Sequence, residues 1–220
     1  MYLRTVIVAT LALAMCAPAL AQRKKLAVGD PAPALNIDKW VKGDETAIES
    51  GQVYVVEFWA TWCGPCKKSI PHLTKLQQEL RADDVTIIGV SSEKPDVVSK
   101  FVRSQGNGMD YTIAVDNRNQ TTRSWMGAAG LNGIPSAFIV DRSGKIQFIG
   151  SPFDERFDDV LEQVAMGRYD QKLMAKAKPH LDAAKQAHDI RNWRLYEKHM
   201  ADVIALDDKV FAAQMLEVFE

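Results

Sequence analysis

Apolar residues run almost unbroken through Val53-Tyr54-Val55-Val56-Glu57-Phe58-Trp59, a β-branched and aromatic stretch of the kind that fills a buried strand. Directly after it the period changes. Ile70, Leu73, Leu76 and Leu80 recur at helical spacing, so a helix opens close to Cys63 and turns one apolar face inward. Residues 85–90 predict a second buried strand, and 96–105 a helix carrying Val97, Val98, Phe101 and Val102 toward the core. A short strand over 111–115 and a short helix over 120–126 follow. Asp141-Arg142-Ser143-Gly144 then makes a turn from which 145–150 returns as an antiparallel strand. A helix over 154–166 brings Phe157, Val160, Leu161 and Val164 onto one face. Strand alternating with helix argues for an α/β sheet with parallel pairing at its centre.

Both ends depart from this alternation. Ahead of the first buried strand, 35–40 and 45–48 are separated by the turn residues Lys42-Gly43-Asp44 and predict an added β-hairpin. Beyond 168 no strand pattern remains. Three helical stretches carry Leu173, Ala177, Leu181 and Ala184, then Trp193, Tyr196, Met200 and Val203, then Val210, Phe211, Met215 and Phe219. The last two stretches resemble a single tetratricopeptide-like helix pair, a surface that could recruit a partner protein. The apolar pattern is still running at Phe219-Glu220, which leaves open whether this helical region continues further.

The extreme N-terminus carries a different signal. Arg4, an apolar run from Val6 to Met15 and the A-x-A site Ala19-Leu20-Ala21 are the three parts of a secretory signal, with cleavage expected after Ala21 and export to the periplasm. The run is too short to span a bilayer. Lipidation at Cys16 is the lesser alternative, because Met15 suits a lipobox poorly. The expected organisation is thus a signal over 1–21, an α/β domain over 22–167 and a helical extension over 168–220. Lys and Arg number 27 against 28 Asp and Glu, so no basic field invites nucleic acid.

Export changes the meaning of the cysteines. Of three in the chain, Cys16 leaves with the signal, and Cys63 and Cys66 remain as a close pair, not as a staple between distant loops. Two intervening residues set Cys66 one helical turn behind Cys63, within reach of a disulfide. At a helix N-terminus the unpaired N–H groups and the dipole favour the Cys63 thiolate, the nucleophile of thiol–disulfide exchange. Pro65 suits the first helical turn, and Gly64 lets a partner chain come close. No second cysteine pair follows and the four histidines lie far away, so neither a metal nor a cofactor is expected in this protein. His72 is expected on the outer face of its helix, and His180, His188 and His199 on the surface of the tail.

Trp62-Cys63-Gly64-Pro65-Cys66-Lys67 after an apolar strand, with Pro71 five residues beyond Cys66, resembles the thioredoxin active site. The entry Val28-Gly29-Asp30-Pro31-Ala32-Pro33 is similar to that of exported redoxins of the TlpA-like, cytochrome-c-biogenesis type, which share their core with peroxiredoxins. The resemblance implies a thioredoxin-like central mixed sheet flanked by helices, here with an N-terminal β-hairpin addition and an all-α C-terminal extension. It also implies a reductase or isomerase of protein disulfides that is recharged by a membrane electron donor. It places Pro135 at the family's cis-proline facing the cysteines, with Ile134 offering backbone to an incoming peptide; an ordinary trans proline starting a strand is the plain alternative. Glu57 falls where thioredoxins carry a buried acid behind the second cysteine, able to take the Cys66 proton; the alternative is a solvated carboxylate at a sheet edge. Trp62 is expected to form an apolar docking collar and Trp59 to be core.

Two other functions compete. A thioredoxin-like peroxidase would need Thr or Ser three residues before a cysteine that is itself preceded by proline, whereas Ala60 and Glu57 stand at the corresponding positions. In a binding module the helical tail would do the work and the thiols would be secondary.

Overall fold

The computed structural model describes residues 25–169 and 171–206. The expected signal over 1–21, including Cys16, and the third helical stretch of the tail lie outside the described residues.

Among the described residues six strands, β1 (Ile37–Lys42), β2 (Val53–Trp59), β3 (Val85–Ser91), β4 (Thr112–Asp116), β5 (Ser136–Val140) and β6 (Ile146–Gly150), form one mixed sheet in the order β1-β4-β3-β2-β5-β6. The central strand β2 (Val53–Trp59) is buried along its whole length, as its unbroken apolar run requires. It pairs in parallel with β3 (Val85–Ser91), which pairs in parallel with β4 (Thr112–Asp116). On its other side β2 meets β5 (Ser136–Val140) antiparallel, and β6 (Ile146–Gly150) extends that edge antiparallel again.

Strand alternation sends the two halves of β2 into different cores. Val53, Val55 and Trp59 join Ile70 and Leu73 of α1 (Gly64–Glu79), Val98 and Val102 of α2 (Pro95–Gln105), and Phe157 and Leu161 of α4 (Phe157–Ala165). Tyr54, Val56 and Phe58 face the opposite cluster, where Trp125 packs edge-on against Phe138 with ring centroids 5.2 Å apart. Trp125 belongs to a π-helical turn, Arg123–Gly127, that continues the short α3 (Gln120–Thr122).

The front of the chain is not the expected hairpin. Its first arm forms β1 (Ile37–Lys42), but this strand pairs antiparallel with β4 at the sheet edge, and 45–48 makes no strand. The open edge of β4 offers β1 a ladder, though one interrupted between Ile37 and Lys39 and between Trp40 and Lys42, whereas the second arm could bury little beyond Ile48. Gly43 turns with φ +76°, and a Cβ there would lie 2.5 Å from Thr112 Oγ1, so the end of β1 is pressed onto β4. A second correction concerns α2: Val98 and Val102 are buried, but Val97 is 42% exposed, being rotated off the stripe that those two residues define.

The helical extension forms an antiparallel pair, α5 (Gln171–Asp189) and α6 (Trp193–Ile204). The first two apolar stretches of the tail thus pack on each other, while the third, which the sequence reading paired with the second, lies outside the described residues. Trp193 is 54% exposed, yet its ring stands edge-on to that of His188 on α5, with centroids 5.4 Å apart. No helix among the described residues is long and apolar enough to cross a membrane.

Candidate active site

Cys63 occupies the N-cap of α1, and the backbone N–H of Cys66 donates to its Sγ at 3.1 Å. The two cysteines are joined as a disulfide with Cα atoms 5.3 Å apart. Pro65 sits in the first turn of α1, where no helical N–H is lost, and a Cβ on Gly64 would meet nothing within 4 Å. The helix start at the cysteine pair and Pro65 in its first turn lie where the spacing placed them. Cys66 is fully buried and Cys63 nearly so, whereas Trp62 beside them is 72% exposed. Trp59 lies in the core against Phe101 with ring centroids 5.4 Å apart. The Ile134–Pro135 bond is cis, and the Ile134 carbonyl oxygen lies 3.7 Å from Cys63 Sγ. The oxidised sulfur holds no proton, so this is an open approach that a thiol could convert into a hydrogen bond.

Glu57 is wholly buried in the middle of β2, on the face turned toward α1. The sheet-edge alternative is thereby removed. Its Oε1 lies 2.9 Å from Ser69 Oγ and its Oε2 lies 3.4 Å from the Tyr111 hydroxyl, which donates to it. Burial lifts the Glu57 carboxyl to about 8, against the smaller opposing pull of the Ser69 and Tyr111 hydroxyls. Burial, and then the neighbouring Glu57, push the Tyr111 phenol well above its ordinary value.

The protonated acid also resolves the local hydrogen-bond bookkeeping. Ser69 Oγ lies 2.9 Å from the Cys66 carbonyl oxygen as well as 2.9 Å from Glu57, yet a hydroxyl has one hydrogen. With Glu57 neutral, its O–H donates to Ser69 and the Ser69 O–H donates to Cys66. The acid is thus one hydroxyl removed from the second cysteine's backbone.

Three further residues escaped the sequence reading. Ser69 is a polar residue on the inward stripe of α1, three positions after Cys66, and that placement was the available signal. Gly89 pairs with Glu57 across β2 and β3, and a Cβ there would stand 3.0 Å from both Trp59 Nε1 and Tyr111 Cε2; the bare backbone lets Tyr111 reach the acid. Glu93 accepts from the Thr61 N–H at 2.6 Å and from the Thr61 hydroxyl at 2.8 Å, anchoring the loop that leads into Cys63. Nothing local in the sequence marks Glu93. His72 is half-buried and meets Asp158 of α4 at 2.9 Å, so it joins two helices instead of lying free on an outer face.

The chain is similar to several known proteins. It is 26% identical to protein FixW of Rhizobium leguminosarum over 216 residues, covering 87% of this chain and 96% of that protein. It is 28% identical to the thiol-disulfide oxidoreductase ResA of Bacillus anthracis over 148 residues, or 66% of this chain and 82% of the relative. Among solved structures, a thiol:disulfide interchange protein of Chlorobium tepidum, of the thioredoxin family, superposes with a TM-score of 0.52 and 26% identity over 63% of this chain and 98% of that one. A thiol-disulfide isomerase of Corynebacterium glutamicum matches with a TM-score of 0.52 and 25% identity over 61% of this chain and 96% of that one. The pattern that describes the AhpC/TSA family matches residues 28–149, from the segment before β1 through β6, and the chain therefore belongs to the AhpC/TSA family.

Proposed function

We propose that the protein is a thiol–disulfide oxidoreductase of the cell envelope that reduces or isomerises disulfides of protein substrates through Cys63 and Cys66. One observation carries this reading: the cysteine pair caps a helix N-terminus directly opposite the backbone of Ile134. The Cys63 thiolate attacks one sulfur of the substrate disulfide, forming an intermolecular S–S bond and releasing the other substrate sulfur as a thiolate. Cys66 gives up its proton and attacks Cys63 Sγ, closing the Cys63–Cys66 disulfide and freeing the substrate as a dithiol. Two electrons have then passed to the substrate, and a dithiol donor at the membrane restores the pair. Glu57, with a carboxyl at about 8, is matched to a thiol near 8.5 and serves as the proton acceptor for Cys66.

The docking surface follows from the same geometry. Trp62, Gly64 and Pro65 adjoin the nearly closed Cys63 along the chain and the Ile134 carbonyl oxygen lies 3.7 Å from its sulfur, which supports a substrate segment lying across these four residues. Trp62→Ala is expected to raise KM for a protein disulfide about tenfold, because exposed aromatic anchors carry much of an interface's energy. Its rate with a small disulfide such as oxidised glutathione should stay within a factor of two. Equal losses with both substrates would remove the docking role.

The reduction potential of the pair tests the direction. Gly64-Pro65 and Ile134-Pro135 match reducing thioredoxins, so the potential is expected below the about −180 mV of isomerases and toward about −270 mV. A value near about −120 mV would instead mark a disulfide donor. Rapid turnover of peroxide with no activity on protein disulfides would favour the peroxidase reading.

A further inference from the structure

The helical extension brings together three residues that the thiol chemistry does not use. The turn between α5 and α6 is centred near Arg191, so α6 runs back along α5 and residues equally distant from the turn face each other. His180 on α5 accordingly meets Asp202 on α6, Nδ1 to Oδ2, at 3.4 Å. His199 lies three residues before Asp202 and thus on the same face of α6. Its ring stands 6.1 Å from that of His180, centroid to centroid. Each of the three offers a ligand atom, these atoms all lie within 4.8 Å of one another, and all three residues are half-buried. The tail histidines are therefore not uniformly surface residues, as the sequence suggested.

A simple ion pair accounts for His180 and Asp202 but not for their neighbour. The Nδ1 atom of His199 is buried and has no hydrogen-bond partner among the described residues. A shielded imidazole nitrogen without a partner is uncommon, and a bound ion beside His180 and Asp202 would satisfy it. We propose that His180, His199 and Asp202 bind one divalent transition-metal ion of the zinc class.

The donor set fits that choice. Two imidazoles and a carboxylate suit zinc and its neighbours, whereas calcium and magnesium prefer oxygen alone. Ligand atoms about 2.0–2.2 Å from a tetrahedral zinc stand about 3.4 Å from each other. The His180–Asp202 pair already has that spacing, and the remaining separations, all within 4.8 Å, would shorten as the ion binds. A fourth position stays open to water. The site has a structural use as well. The apolar cluster between the two helices buries Ala177 and Val203 with Leu173, Met174, Leu181 and Leu206 only partly covered, and small helical units commonly need a staple beyond such a core.

The test is a zinc titration of the chelator-treated full chain, kept oxidised so that Cys63 and Cys66 offer no thiolate. One equivalent should bind and raise the thermal unfolding temperature. The side-chain nitrogen resonances of His180 and His199 should move while those of His72 and His188 stay in place. His199→Ala should weaken zinc binding at least about tenfold through loss of one of three ligands. Asp202→Asn, which keeps the side-chain shape, should do the same and guards against a folding defect in the alanine variant. Both variants should retain thiol–disulfide turnover. The proposal is overturned by an absence of binding heat at sub-millimolar zinc, by affinity that survives both substitutions, or by resonance shifts confined to His72 or His188.

Discussion

With Cys66 replaced by alanine, the protein is expected to stop at a mixed disulfide joining its substrate to Cys63, and steady-state turnover is expected to fall at least about a thousandfold. The reason is positional. In the native chain the second thiol is held one helical turn from the first, with Cα atoms 5.3 Å apart. Resolution is thus intramolecular, and well-placed intramolecular groups act at effective concentrations on the order of 10⁵ M or more. External thiols at millimolar concentration cannot replace that. Cys63→Ala should capture no substrate at all, because Cys66 is fully buried behind the helix N-terminus. Mass spectrometry of the non-reduced adducts reads both variants directly. Adducts formed through Cys66 in the Cys63 variant would reverse the assigned roles, and near-native turnover by Cys66→Ala would remove the two-cysteine mechanism.

Glu57→Gln should separate stability from catalysis. The folded carboxyl titrates at about 8 and its reference value is 4.5. Below about 4.5 both the folded and unfolded states hold the proton, and the residue contributes no pH dependence. Between the two values the unfolded chain releases the proton while the folded chain keeps it. Stability therefore falls with rising pH, by about 1.4 kcal/mol per unit, and levels off above about 8. The accumulated cost is on the order of 5 kcal/mol. Glutamine keeps the shape, can donate its amide N–H to Ser69 and accept from Tyr111 as the neutral acid does, but has nothing to ionise. The oxidised variant is expected to match the wild type near pH 4 and to exceed it increasingly toward pH 8, as read by urea unfolding. Two curves running parallel across that window would show that Glu57 titrates normally.

The same substitution should slow catalysis. At neutral pH about one tenth of Glu57 is ionised, enough for a base whose proton affinity is close to that of a thiol. Without it, closure of the Cys63–Cys66 disulfide should slow by on the order of a hundredfold, and the rise of that rate with pH toward 8 should disappear. A variant that is more stable but slower would explain why a costly buried acid is retained in a strand otherwise apolar. Unchanged closure kinetics would leave Glu57 without a role in proton transfer.

Much of this site could be read without coordinates because its parts are local. Strand β2, the cysteine spacing and the opening of α1 lie within fourteen residues, and the change of period from strand to helix is written in side-chain polarity. Burial of Glu57 was legible for the same reason, since its neighbours on both sides are apolar. The resemblance to thioredoxins supplied Pro135, whose bond to Ile134 is cis. What failed was partner choice. The residues of β1 were recognised as a strand, but the open edge of β4, more than seventy residues later, competed successfully against the adjacent segment. In the tail, the packing of α5 against α6 likewise depends on which faces meet, which periodicity alone does not state.

The sequence by itself determined the α/β alternation, the redox pair and its place at a helix start, because each follows from nearest-neighbour periodicity and spacing. Only the tertiary structure decided that Ser69, Tyr111 and Gly89 build the environment of Glu57, that Glu93 anchors Thr61, and that His180 meets His199 and Asp202. Those groups are separated along the chain by up to 54 residues. Their chemistry arises from exclusion of water and from distances of a few ångströms, and both are properties of packed elements that no local pattern encodes.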